Sequence, residues 1–327
     1  MLWIFYELTK KEEYKNAALW QSHDFYRRIV NKSGTAHHDM GFLYCPSCVA
    51  AYRLTGDEIS KKAAVLAADN LCERFMPIGN FIQAWGELGA EDNYRLIIDC
   101  LINISLPYWA SEETGDAHYK DIADKHLKST MDNVVREDST TFHTFYFDKK
   151  TGKALKGVTS QGISDNSIWA RGQAWGILGS ALAYGHTKNE ELIGKFIKIT
   201  DAFLSHLPSD NIPAWDMIYT DTETQKDTSA AAIVACGILE MKRHTDIKEL
   251  EFYLEKADDM LLALYGSCLT DDTNTSNGIL KHAVYSLPGN LGVDECNIWG
   301  DYFYVEALMR RINPDWKPYW GAIPHFV

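Results

Sequence analysis

An aspartate stands in the middle of an apolar run in "RLIIDCLINISL": Asp99, with Leu96, Ile97, Ile98, Cys100, Leu101 and Ile102 around it. Charged and unpaired, a carboxylate there costs several kcal/mol, so its environment either satisfies it or makes it useful. A second aspartate, Asp39, lies in HHDMGFLYCPS, where a helix start would let it cap backbone N–H groups. If Asp39 and Asp99 stand at one rim on neighbouring helices, mutual repulsion raises one pKa and apolar burial raises it further. An aspartic acid held protonated in this way can donate its proton. His37 and His38 beside Asp39 invite a metal reading. Adjacent residues rarely ligate one ion together, and no carboxylate–histidine spacing supports it, so no metal or other cofactor is expected.

The densest motif is SDNSIWARGQAWG, residues 164–176. Arg171 and Trp175 fall one helical turn apart and share a face. A planar guanidinium beside an indole suits a sugar carboxylate, with bidentate hydrogen bonds to the acid and stacking on the ring. Gln161 and His143 precede this motif, and Trp85 in FIQAWG offers a further platform.

Helices must position these groups, since helical periodicity runs through almost the whole chain and strand-like alternation is scarce. An aromatic-rich apolar helix, a short polar corner and a charged amphipathic helix recur as a unit. The corners read LTKKEEYKNAA, LTGDEISKKAA, ETGDAHYKDIA, HTKNEELIGKF and HTDIKELEFYL. In each, threonine precedes acidic residues, the signature of a helix N-terminus. Apolar members are expected at 2–8, 40–54, 94–109, 167–186, 228–243 and 295–310, and charged ones from near 11, 57, 113, 189 and 247. Closed into a ring, such hairpins bury the apolar helices and expose the charged ones. The reading is an all-α, six-hairpin α/α toroid that begins at its first inner helix, as a single domain over 1–327; an open α-solenoid is the alternative.

The chain has 327 residues, 46% of them hydrophobic, and a formal charge of −13. That charge argues against nucleic acid as a partner, and no apolar run is long enough to cross a membrane. Any bound anion must be held by a few local cations. Seven scattered cysteines, CPSC included, read as buried thiols in a reducing compartment.

With HHDMGF, SDNSIWARGQAWG, DTSAAAI and VDECNIWGDYFYVEAL assembled, the chain resembles the unsaturated glucuronyl hydrolases over essentially its whole length. These glycoside hydrolases act on the products of polysaccharide lyases and fold as six-hairpin α/α barrels. The resemblance implies Asp99 as acid/base, Asp39 as the second aspartate, and Trp85, His143, Gln161, Arg171 and Trp175 as substrate contacts. It implies release of a 4,5-unsaturated uronic acid, with a small oligosaccharide of the glycosaminoglycan disaccharide kind as partner. Members usually carry a further N-terminal segment supplying an outer helix, and MLWIFYEL starts after it, so that helix is expected to be lacking. Any export signal would lie upstream of Met1, which leaves cytoplasm and periplasm both open. The loop YSLPGNLGVDE also departs from relatives with a Ser-x-x-Ser-x-Lys pattern: Ser286 matches the first position, while Gly289 and Leu291 replace the second serine and the lysine. Three rivals remain: an unsaturated rhamnogalacturonyl hydrolase, whose relatives show Arg-Gly-Asn-Gly-Trp at 171–175, a noncatalytic sugar-binding toroid, and an inverting glycosidase.

Overall fold

The computed structural model describes residues 1–271 and 276–321. Its helices are α1 Leu2–Thr9, α2 Glu12–Val30, α3 Met40–Tyr44, α4 Ala50–Thr55, α5 Glu58–Cys72, α6 Cys100–Asn103 and α7 Ser105–Thr114. After these come α8 Ala117–Asn133, α9 Ala170–Thr187, α10 Glu191–Ser205, α11 Thr228–Lys242, α12 Glu249–Ser267 and α13 Ile298–Ile312. Short strands sit in the connections: β1 Phe75–Met76 with β2 Phe81–Ile82, then β3 Arg95–Ile97, β4 Thr144–Phe147 and β5 Ala154–Val158 in that order, then β6 Ala283–Ser286 with β7 Leu291–Glu295. Packing divides the described residues into two compact units: 1–132, 145–156 and 317–321, and 133–144, 157–271 and 276–316.

The alternation of buried and charged helices is present in both units. Every residue of α9 from Ala170 to Gly185, and of α11 from Thr228 to Met241, is buried; such helices need no polar face. By contrast α10 buries only Leu192, Phe196, Ile199, Thr200 and Phe203, one stripe at helical spacing.

The corners differ from the sequence reading. Thr9, Thr55, Thr114 and Thr187 close the inner helices, and the hydroxyls of Thr9, Thr114 and Thr187 also accept the N–H of Lys11, Asp116 and Asn189 where the outer ones begin. Each hydroxyl donates to the carbonyl four residues back, Phe5, Ala51, Ala110 and Ala183, at 2.6–2.8 Å. The next residue, Lys10, Gly56, Gly115 or Lys188, adopts the left-handed conformation that ends a helix. A second correction concerns 94–109: the run begins as β3, and helix starts only at Cys100. Between α3 and α4, Cys45–Val49 forms a π turn holding Pro46, whose missing N–H breaks the α register. Cys45 and Cys48 are free and buried, and burial pushes both thiols up to about 12. Among the described residues no helix is long and apolar enough to cross a membrane.

Candidate active site

Asp39 and Asp99 hold matching places in the first unit, immediately before α3 and α6. Neither side chain caps its helix. Asp57, Asp227 and Asn297, in the same position before other helices, do accept the N–H groups of Ser60, Ser229 and Gly300. The capping reading of Asp39 therefore fails, and both carboxylates are left for other work.

A close backbone approach brings them together. A Cβ on Gly41 would lie 2.4 Å from Cα of Asn103, so only glycine fits between α3 and α6. Asn103 is buried there: its Oδ1 accepts the Phe42 N–H at 2.9 Å and its Nδ2 donates to the Asp99 carbonyl at 3.4 Å. As a result, one nitrogen of His38 and one oxygen of each aspartate lie within 4.8 Å of one another. His38 is fully buried, whereas the side chains of Asp39 and Asp99 are 23% and 22% exposed. A ligand can reach the carboxylates but not the imidazole.

The electrostatics separate the members. Burial drives His38 down to about 4, with Asp39 opposing in part, so the imidazole is neutral at pH 7. Burial pushes the Asp39 carboxyl up, but His38, His37 and Asn103 outweigh it and hold the group below its ordinary value. Asp39 is thus charged at neutral pH, and a second full charge beside it is unfavourable. Trp85, 46% exposed, lies flat on His37 with ring centroids 4.5 Å apart and planes 14° apart. His37 is fixed in turn, with Nε2 on the Gly34 carbonyl at 2.9 Å and Nδ1 accepting the Asp39 N–H at 3.1 Å. An open indole face is therefore built beside the acid pair.

His38, Asp39 and Asp99 are also the tightest set of metal-binding side-chain types among the described residues. A metal-bound imidazole ordinarily donates its far N–H to an acceptor. Both ring nitrogens of His38 are buried without a hydrogen-bond partner, so the set lacks the support of a metal-binding histidine.

The second unit assembles the other expected residues, with two departures. Arg171 is 2% exposed, and its fork is committed to protein. Nη1 donates to Asp227 Oδ2 at 2.5 Å and to the Val284 carbonyl at 2.7 Å; Nη2 donates to Gln161 Oε1 at 2.7 Å and to the Tyr285 carbonyl at 2.8 Å. Trp169 and Trp299 flank the guanidinium, at 4.7 and 5.3 Å to the ring centroids. In this structure the fork is engaged by Asp227, Gln161 and two backbone carbonyls. Trp175 is 2% exposed and packs edge-on against Phe303 at 5.4 Å, so it offers no open stacking face. A helix buried on every side hides both, although they share a face as expected. Gln161 is half-buried on Arg171. His143 is buried edge-on to Trp169 at 4.8 Å, with Nδ1 2.7 Å from Thr144 Oγ1. Ser286 Oγ accepts the Gly289 N–H at 3.3 Å.

Sequence reasoning missed Asp227, Trp299 and Asn103. Asp227 caps α11 through one oxygen, and its second oxygen holding Arg171 leaves no local signal.

Residues 1–302 match Glycosyl Hydrolase Family 88. A Streptococcus pneumoniae protein named unsaturated chondroitin disaccharide hydrolase is 46% identical over 98% of this chain and 81% of its own length. The crystal structure of unsaturated glucuronyl hydrolase from Streptococcus agalactiae superposes with a TM-score of 0.95 at 47% identity, over 98% of this chain and 81% of that one. That match shows the fold class, the α/α toroid. A mutant of the Streptococcus agalactiae enzyme complexed with dGlcA-GalNAc6S matches with a TM-score of 0.85 at 43% identity, over 98% and 80%.

Proposed function

We propose that this chain, which belongs to Glycosyl Hydrolase Family 88, releases the nonreducing-end 4,5-unsaturated uronic acid from lyase-generated oligosaccharides, acting as one catalytic domain over 1–327. It is a glycoside hydrolase. Its substrates are glycosaminoglycan disaccharides of the chondroitin type, as the names of its relatives support. The observation that carries the reading is the uncapped pair Asp39 and Asp99, partly exposed and with oxygens within 4.8 Å.

An unsaturated uronic acid is a vinyl ether, and its C4 is basic enough to take a proton from a positioned acid. Asp99 gives that proton, C5 gains oxocarbenium character, and water adds there while Asp99 recovers a proton. The hemiketal so formed opens and expels the neighbouring sugar. An inverting pair of carboxylates leaves roughly 6.5–9.5 Å for its water, more than these two are apart, so the spacing favours one shared acid/base over that rival. Trp85 supplies the stacking face. The resemblance implies His143, Gln161, Arg171 and Trp175 as further substrate contacts.

The test is a matched pair of chondroitin disaccharides, one with the double bond and one saturated. Ultraviolet absorbance of the double bond should vanish in step with release of the amino sugar, and the saturated compound should stay intact. Cleavage of the saturated disaccharide at a similar rate would refute hydration and restore ordinary glycoside hydrolysis.

A further inference from the structure

We propose that His38 is a positioning residue for this reaction, its Nε2–H held between the two carboxyl groups to stabilise the charge that appears on Asp99 as its proton leaves. The inference rests on the function proposed above. Nε2 lies 3.4 Å from Asp39 Oδ1 and 3.5 Å from Asp99 Oδ1, nearly equidistant. Nδ1 is buried and has no hydrogen-bond acceptor in the protein. A buried N–H without an acceptor costs about 1–3 kcal/mol, so the ring proton belongs on Nε2, where two carboxylates can take it. Neither contact is yet a hydrogen bond in this resting arrangement.

The sign of the effect makes a neutral imidazole the suitable group. A lysine or arginine at this place would pull the proton off Asp99 before substrate arrived. A neutral N–H favours the carboxylate mainly once it has formed, which is stabilisation confined to the transition state and beyond. The other charged or titratable groups acting on His38 are His37, Arg74 and Arg95. Arg74 is committed to the carbonyls of Gln83 and Gly86, Arg95 to the Tyr146 hydroxyl, and His37 to Gly34 and the Asp39 N–H. His126, buried nearby, accepts the Ile82 N–H.

In the step itself the Asp99 O–H bond breaks and the π pair of C4=C5 forms the C4–H bond. The cationic C5 then takes water, whose proton returns to Asp99. His38 keeps its own proton throughout.

Two variants and one spectrum test this. His38→Leu should lower kcat about a hundredfold, leave KM within about threefold, and move the alkaline limb of kcat/KM upward by about one unit, since a donor that favours the carboxylate is gone. His38→Gln, whose amide restores a donor near Nε2, should recover most of kcat and return the limb. In the unaltered protein, nitrogen-15 spectra of the histidines should show His38 protonated at Nε2 and bare at Nδ1 from pH 5 to 8. An Nδ1–H tautomer, an unmoved limb in the leucine variant, or a glutamine variant as slow as leucine would each overturn the proposal. Should the unaltered protein turn over no unsaturated disaccharide, the functional reading fails, and the tautomer alone then decides the placement of the proton.

Discussion

Two aspartates at the start of two helices do different work because their surroundings differ from those of their capping counterparts. Asp57 and Asp227 accept backbone N–H groups and hold helices in place; Asp39 and Asp99 do not, and instead face one another across a glycine contact. Asp39 is held charged by its neighbours, and its charge resists ionisation of Asp99. Replacing it therefore has a predictable sign. Asp39→Asn removes the repelling charge, so Asp99 should lose its proton more easily and the alkaline limb of the pH–rate profile should move down. On the proposed mechanism the rate should fall as well, since Asp39 would no longer help orient water or substrate. Initial rates from pH 4 to 9 check this, and an unchanged profile at an unchanged rate would reduce Asp39 to scaffolding.

At the scale of elements, the sequence showed the helices more readily than their joints. Apolar runs predict α9, α11 and α13 to within a few residues: α9 and α11 are buried along nearly their whole length, and α13 buries a broad aromatic face. At the threonine corners the hydroxyl serves both helices, donating to the carbonyl four residues back and, at Thr9, Thr114 and Thr187, accepting an N–H at the following helix start; the N-terminus signature shows only half of that work. Asp39 and Asp99 were legible as a pair, but the fate of Arg171 was not, because its partners Asp227, Val284 and Tyr285 lie far along the chain. The hairpin of β6 and β7 shows what its sequence departure does. Leu291 is 55% exposed where relatives place a lysine, and Ser286 Oγ is engaged by Gly289. A sulfate laid there would lose water without gaining a donor, and one charged hydrogen bond contributes about 1.5–3 kcal/mol. Unsulfated chondroitin disaccharide should thus be turned over at least as well as its 6-sulfated counterpart in matched kinetics. A tenfold preference for the sulfated compound would place the anion elsewhere.

The whole molecule carries a formal charge of −13, and Arg171, the cation expected to face a uronate, is already neutralised by Asp227. The fold also carries a pH dependence. His38 and His126 are buried and neutral, lowered by burial to about 4 and about 3 from 6.5. Below 6.5 the unfolded chain takes up these protons first, so their contribution is present above that value and is lost as pH falls toward 4. Denaturant unfolding should show a loss of about 4 kcal/mol between pH 7.5 and 5; equal stability at both would mean that the two rings are not held neutral. The central claim, that Asp99 delivers the proton to C4, is tested most directly by Asp99→Asn, which keeps shape and removes the transferable proton. With the variant shown to be folded, loss of double-bond absorbance from the unsulfated unsaturated chondroitin disaccharide should slow by at least about a hundredfold. Turnover within a few fold of the unaltered protein would contradict the account.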